Sequence, residues 1–257
     1  MRTRQPVAVT GPSRRNIPQP VKDVVAEAVG HSHRDDAVLP RTGGPAGNAV
    51  LTAWTGLVLL GLSLAELATL LSVHRLIGWH VFIGTLLVPP AILKTISVGW
   101  RIVRYYGGNP LYRKAGPPPM LLRVLGPGVV LATLGVLASG LVLVALGPQS
   151  SRMEWISVLG HRMDYVTVHK GFFAAWLVLT GLHVLARIGP ALWLTMARPS
   201  RLGPVPGGIG RIMVLVFSLA AAVGSAVLVL SAPGDWHSVG GPDREGAPSH
   251  VRSVRLR

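Results

Sequence analysis

Three of the nine histidines in the chain, His80, His169 and His183, fall inside long apolar stretches. An ionisable side chain is expensive in that setting, so each is a functional candidate by default. His80 lies a few residues into the second apolar stretch and His169 a few residues into the fourth. On helices that run in the same direction, both rings would sit roughly 10 Å outward of their helix midpoints. Two imidazoles at one depth on parallel helices can face each other across a bundle. That is the arrangement of the two axial ligands of a b-type haem. The alternative is a pair of histidines that hydrogen-bond between helices.

His183 follows His169 by fourteen positions. Fourteen steps of about 100° leave an offset of about 40°, so both project from one face, about 21 Å apart along the axis. The position fourteen residues after His80 holds Lys94. A protonated lysine is a poor haem ligand, so a second site is incomplete by sequence. His183 stays open as a ligand of a second haem, a quinone contact or a hydrogen-bonding partner of the Lys94 helix.

The remaining candidates cluster near the same membrane surface as His80 and His169. Arg75, Arg162 and Lys170 suit either haem propionates or ordinary snorkelling into the headgroups. His74 and His161 read as interfacial; His74 is about 120° around a continuous helix from His80, so both cannot address one iron. Glu66, near the end of the first apolar stretch, would serve proton transfer or bond to a neighbour.

Five apolar segments carry these residues: 49–72, 76–98, 124–146, 166–185 and 212–231. Each approaches the roughly 20 residues needed to cross a hydrocarbon core of about 30 Å. Backbone polar groups in lipid must be satisfied within the segment, so all five are expected to be helices. Their glycines, among them Gly56, Gly135 and Gly140, permit close helix approach. A short turn near Val73–Arg75 is expected between the first two, and Pro89-Pro90 should bend the second. Segments 101–123 and 188–210 read as Pro/Gly-rich loops. Trp54, Trp79, Trp100 and Trp155 fit interfacial anchors.

Composition supports a membrane class. Hydrophobic residues are 49% and charged residues 14% of 257, and mean hydropathy is +0.48, high for a soluble domain. The net charge of +15 concentrates in the N-terminal tail and in alternate loops. The positive-inside rule then gives a cytoplasmic N-terminus and an extracytoplasmic C-terminus, and nucleic-acid binding is a poor second explanation of the charge. No cysteine is present, which excludes thiolate metal sites, iron–sulfur clusters and c-type haem attachment. Residues 1–48 are expected to be a disordered basic cytoplasmic tail without a secretory signal, 49–231 a transmembrane domain, and 232–257 a polar tail.

The paired-histidine segment 166–185, opposite the stretch His74-Arg-Leu-Ile-Gly-Trp-His80, resembles the membrane-integral b-type cytochrome superfamily. The closest likeness is to small bacterial b-type cytochromes and ferric-reductase-like proteins with a four-helix haem core. The likeness covers about residues 50–190; Lys94 departs from a two-haem pattern. It implies an all-α integral membrane bundle of five transmembrane helices, four of them forming an antiparallel haem-binding core. It also implies an electron-transfer subunit, rather than a complete enzyme, in a bacterial cytoplasmic membrane. Haem b would bind at His80 and His169, with His183, Arg75 and Lys170 as further cofactor contacts. Quinone and a redox partner on the outer face are the implied electron partners. The competing expectation is a haem-free multi-pass protein, a transporter subunit or structural component, with the histidines as polar contacts.

Overall fold

A computed structural model describes residues 44–114, 120–153, 156–158, 161–196 and 205–231. Both tails, Trp155 and the basic residues Arg198 and Arg201 lie outside the described residues. The elements are α1 (Pro45–Thr69), a 3-10 turn (Leu70–Ser72), α2 (Val73–Tyr106), α3 (Pro110–Lys114), α4 (Met120–Ser150), β1 (Ile156–Val158), β2 (His161–Met163), α5 (Tyr165–Met196) and α6 (Gly208–Ser231).

Four helical stretches are long and apolar enough to cross a membrane: Pro45–Tyr106, Arg123–Ser150, Tyr165–Gly189 and Gly208–Ser231. The protein is a helical, multi-pass membrane protein. The first stretch runs through α1, the turn and α2, which fold back on each other. Asn48 donates to the Ser97 carbonyl at 2.9 Å, Thr52 bonds Ser97 at 2.7 Å, and Glu66 meets His80 at 2.9 Å. Rising numbers on α1 meet falling numbers on α2, so the two form an antiparallel hairpin. α4 and α5 form a second one. Leu179 lies against Gly128, Phe172 against Gly135 and His169 against Gly140. A Cβ at Gly135 would overlap the Phe172 ring, so glycine there is what lets the two helices close. α6 packs along α2 and, less extensively, α1. It buries Ser218, Ala222 and Ala226, one small residue per turn along one face.

Small side chains dominate the interior. Ala46, Ala53, Ala91, Ala132, Ala222 and Ala226 are buried, whereas Leu71, Leu185, Phe217 and Leu228 stand largely exposed. This inversion of a soluble core is what lipid permits, because the tails are as apolar as leucine and close backbone approach holds the helices together. Trp79 and Trp100 are both exposed on α2. They are twenty-one positions apart, about 31 Å along the helix, which matches a hydrocarbon core of about 30 Å between two aromatic belts. The Arg104 guanidinium lies 5.2 Å from the Trp100 ring centroid.

Several boundaries differ from expectation. The reversal between the first two helices is the 3-10 turn Leu70–Ser72, three residues before Val73–Arg75. α2 keeps helical dihedrals through Pro89-Pro90, and its irregular residue is Leu76 (φ −107°, ψ 17°). Proline removes two ladder donors there, and Pro90 is fully buried. α1 begins at Pro45 rather than 49, with proline in the first turn, where its missing N–H is not needed. α5 continues through Pro190 to Met196, eleven residues past the expected end, and takes up part of the expected 188–210 loop. The 101–123 loop contains the helix α3. α4 breaks at Gly147 (φ 74°, ψ 172°), where the Ser151 hydroxyl donates to the Gly147 carbonyl at 2.6 Å. The short antiparallel pair β1–β2, with Ile156 opposite Met163, is an addition to the all-α expectation.

Candidate functional site

α2 and α5 bring His80 and His169 together. Their ring centroids are 6.4 Å apart and the ring planes are 88° to each other. Both residues are partly buried, with 22% of the His80 side chain exposed. The separation is informative. An imidazole nitrogen sits about 2 Å from a bound metal and about 1 Å from its own centroid, so an ion held between two rings separates the centroids by about 6 Å.

The hydrogen bonds fix which nitrogen each ring offers. Thr69 Oγ1 donates to the Glu66 carbonyl at 2.6 Å, so its proton is committed. Towards His80 it must accept, and it lies 3.0 Å from His80 Nδ1. Glu66 Oε1, an acceptor when ionised, lies 2.9 Å from the same nitrogen. His80 therefore carries its proton on Nδ1. On α4 the Ser139 hydroxyl donates to the Gly135 carbonyl at 2.7 Å and lies 3.0 Å from His169 Nδ1. By the same reasoning His169 is protonated on Nδ1. With Nδ1 donating, Nε2 is the nitrogen of each ring whose lone pair can bind a metal. A metal-binding histidine is ordinarily held in this way, with its other nitrogen donating to an outer acceptor. Gly140 contributes space, since a Cβ there would come within 3.2 Å of His169 Cε1.

No cluster of three or more histidine, aspartate or glutamate ligands occurs among the described residues. The donor set is a pair of adjacent rings and not a cage. Four helices contribute to it: His80 from α2, His169 from α5, Glu66 and Thr69 from α1, and Ser139 from α4. The sequence pattern singles out the two rings and Glu66 but not Thr69 and Ser139. The available signal was a hydroxyl residue in an apolar helix at the depth of a histidine.

The other predicted residues are dispersed. Arg75 and Lys170 are exposed near the His80 end, as is His74. β2 carries His161 and Arg162 at that same end. Outside the spanning segments there, hydrogen bonds from the Thr167 hydroxyl and then its amide hold the Asp164 carboxyl below its ordinary range. Asp164 thereby caps α5, with the Thr167 amide 2.7 Å from Oδ1.

His183 does not join the pair. It faces the other end of the bundle, within electrostatic reach of Lys94 and Arg187. Lys94 and His183 each lie fourteen positions beyond His80 and His169, so α2 and α5 run parallel and in register. Lys94 Nζ donates to the Thr52 carbonyl at 3.3 Å and fills the space beside Gly56. His183 Nδ1 is buried without a hydrogen-bond partner, in contrast to the two rings at the other end. Searches against protein-family models, curated proteins and solved structures find no match to this chain.

Proposed function

We propose that the chain is a membrane-integral b-type cytochrome that passes electrons between a quinone pool and a redox partner at the outer membrane face. In this reading α1, α2, α4, α5 and α6 each span the bilayer, the first four surround one haem, and the His80 end faces outward. The observation that carries it is the juxtaposed pair: two imidazoles with centroids 6.4 Å apart, each with Nδ1 hydrogen-bonded, a donor set that leaves Nε2 available to a ligand. The donor set suits a b-type haem, whose iron His80 and His169 would hold.

The protein's own residues then have distinct tasks. His80 and His169 would hold the iron. Glu66 and Thr69 fix the His80 tautomer and raise its basicity, and Ser139 does so for His169. Gly140 lets the His169 ring lie close to α4. Arg75 and Lys170, exposed at the same end, are suited to the haem propionates. A bound haem would supply a one-electron couple suited to electron relay.

The test is haem retention in detergent after expression with ample haem. The wild type should hold one haem per chain. His80→Ala and His169→Ala should lose it while far-ultraviolet circular dichroism stays helical, and His74→Ala should keep it. Full haem in both folded ligand variants would exclude the assignment. A colourless, well-folded wild type would favour the haem-free multi-pass reading.

A further inference from the structure

The opposite end of the α2–α5 pair gathers positive charge that the described residues do not offset. Lys94 and Arg101 are seven positions apart on α2, and His183 and Arg187 are four apart on α5, so each pair shares a helix face. In the parallel register defined by His80–His169, Arg187 stands at the depth of position 98, between Lys94 and Arg101. The interactions follow that geometry: Arg187 is within electrostatic reach of Lys94, Arg101 and His183. All four residues are half-buried. Like charges repel, and a partly buried cation is costly unless paired.

Among the described residues no carboxylate is there to pair them. The only acidic residues in the described segments are Glu66 and Asp164, and both lie at the His80 end. Glu66 is taken up by His80, 2.9 Å away. The acidic group nearest in kind is the Tyr112 phenol, within reach of Arg101 and ordinarily neutral at pH 7. Beneath the two guanidiniums, His183 Nδ1 and Thr180 Oγ1 are buried without hydrogen-bond partners. They are three positions apart on the same face of α5.

We infer that Arg101 and Arg187, backed by Lys94 and His183, form a site for a phosphate-bearing anion, filled in the membrane by the headgroup of an anionic phospholipid. Arg101 follows Trp100, one of the two exposed tryptophans that mark the membrane boundaries, so its guanidinium stands at headgroup level. Two arginine forks, one from each helix, suit the oxygens of a phosphodiester. Lys94 lies deeper and adds positive potential below it, and His183 adds a buried ring nitrogen without a partner. A basic pocket between membrane helices is a recognised form of headgroup site. The inference does not depend on haem binding.

The test uses the full chain in a neutral detergent and native mass spectrometry. Phosphatidylglycerol, phosphatidylcholine or inorganic phosphate is added in turn. Phosphatidylglycerol should be retained preferentially over phosphatidylcholine. Arg101→Gln with Arg187→Gln should weaken its binding about 30-fold, from the loss of two cations near a headgroup. Arg187→Lys should retain most of the charge-dependent preference, which guards against a folding defect in the double variant. Arg152→Gln, an exposed cation at the other end, should change nothing. Competition by inorganic phosphate, lost in the same double variant, would support the site and assign it to a free anion. Equal retention of the two lipids with no phosphate binding, or an unchanged lipid preference in the folded double variant, would overturn it.

Discussion

The two ends of the α2–α5 pair share one register and differ in what surrounds it. Both present a histidine from α5 opposite a basic side chain of α2. At one end the partner is His80, and Glu66, Thr69 and Ser139 supply acceptors that settle both tautomers. At the other it is Lys94, no carboxylate is present among the described residues, and His183 Nδ1 has no partner. The difference teaches that helix register brings side chains together at both ends, while only one end supplies outer acceptors; in the proposed reading those acceptors make the His80 end a ligand pair. A repeat of fourteen residues reproduces the first condition and not the second.

The largest expected effect comes from breaking the first end. Replacing both His80 and His169 with alanine should abolish the b-type difference spectrum in a protein that still folds. Next are the outer acceptors. Glu66→Ala and Ser139→Ala should each lower haem affinity about 10- to 100-fold, read by transfer of haem to an apo-globin. Glu66→Gln, which keeps an acceptor oxygen, should lose less than Glu66→Ala. Equal losses would mean that His80 orientation is set elsewhere.

The second end can be pushed towards the first. Lys94→His restores the missing imidazole opposite His183 but not the missing acceptors. The haem-to-protein ratio should therefore stay at one. A ratio of two would make Lys94 the sole obstacle and show that a ligand pair can form without outer acceptors.

Packing and capping effects are smaller. Gly135→Ala puts a methyl into the Phe172 ring and should destabilise the α4–α5 hairpin by about 1–3 kcal/mol, seen as earlier thermal unfolding in detergent. Asp164→Ala removes the α5 cap and should cost about 0.5–2 kcal/mol. Because the folded Asp164 carboxyl is held below its ordinary value, its contribution is present above the unfolded value of about 3.9. It should be lost as pH falls through the lower folded value. Asp164→Asn should keep most of the cap and flatten that acid dependence in a pH series of melting curves.

Much of the site was legible because helical rise and turn are fixed by backbone geometry. Depth alone paired His80 with His169, and the interval of fourteen pointed to Lys94 and His183. The acceptors were not legible in the same way. Thr69 and Ser139 come from other helices, and whether they reach a ring depends on helix rotation and on close approach at glycines such as Gly135 and Gly140. Helix extent was read too short where charged or proline-containing turns continue beyond the apolar run. α5 past Pro190 and α2 through Arg101 and Arg104 are the instances. The β1–β2 pair has three-residue strands, too short to impose an alternating pattern on the sequence.

The most direct test of the central claim is low-temperature electron paramagnetic resonance of the oxidised, haem-replete protein, with haem and protein quantified on the same sample. Two histidine ligands at one iron predict a low-spin ferric signal from one haem per chain. With ring planes at 88°, that signal should be strongly anisotropic. A high-spin signal, or a folded protein that takes up no haem, would contradict the assignment of His80 and His169 as an axial pair.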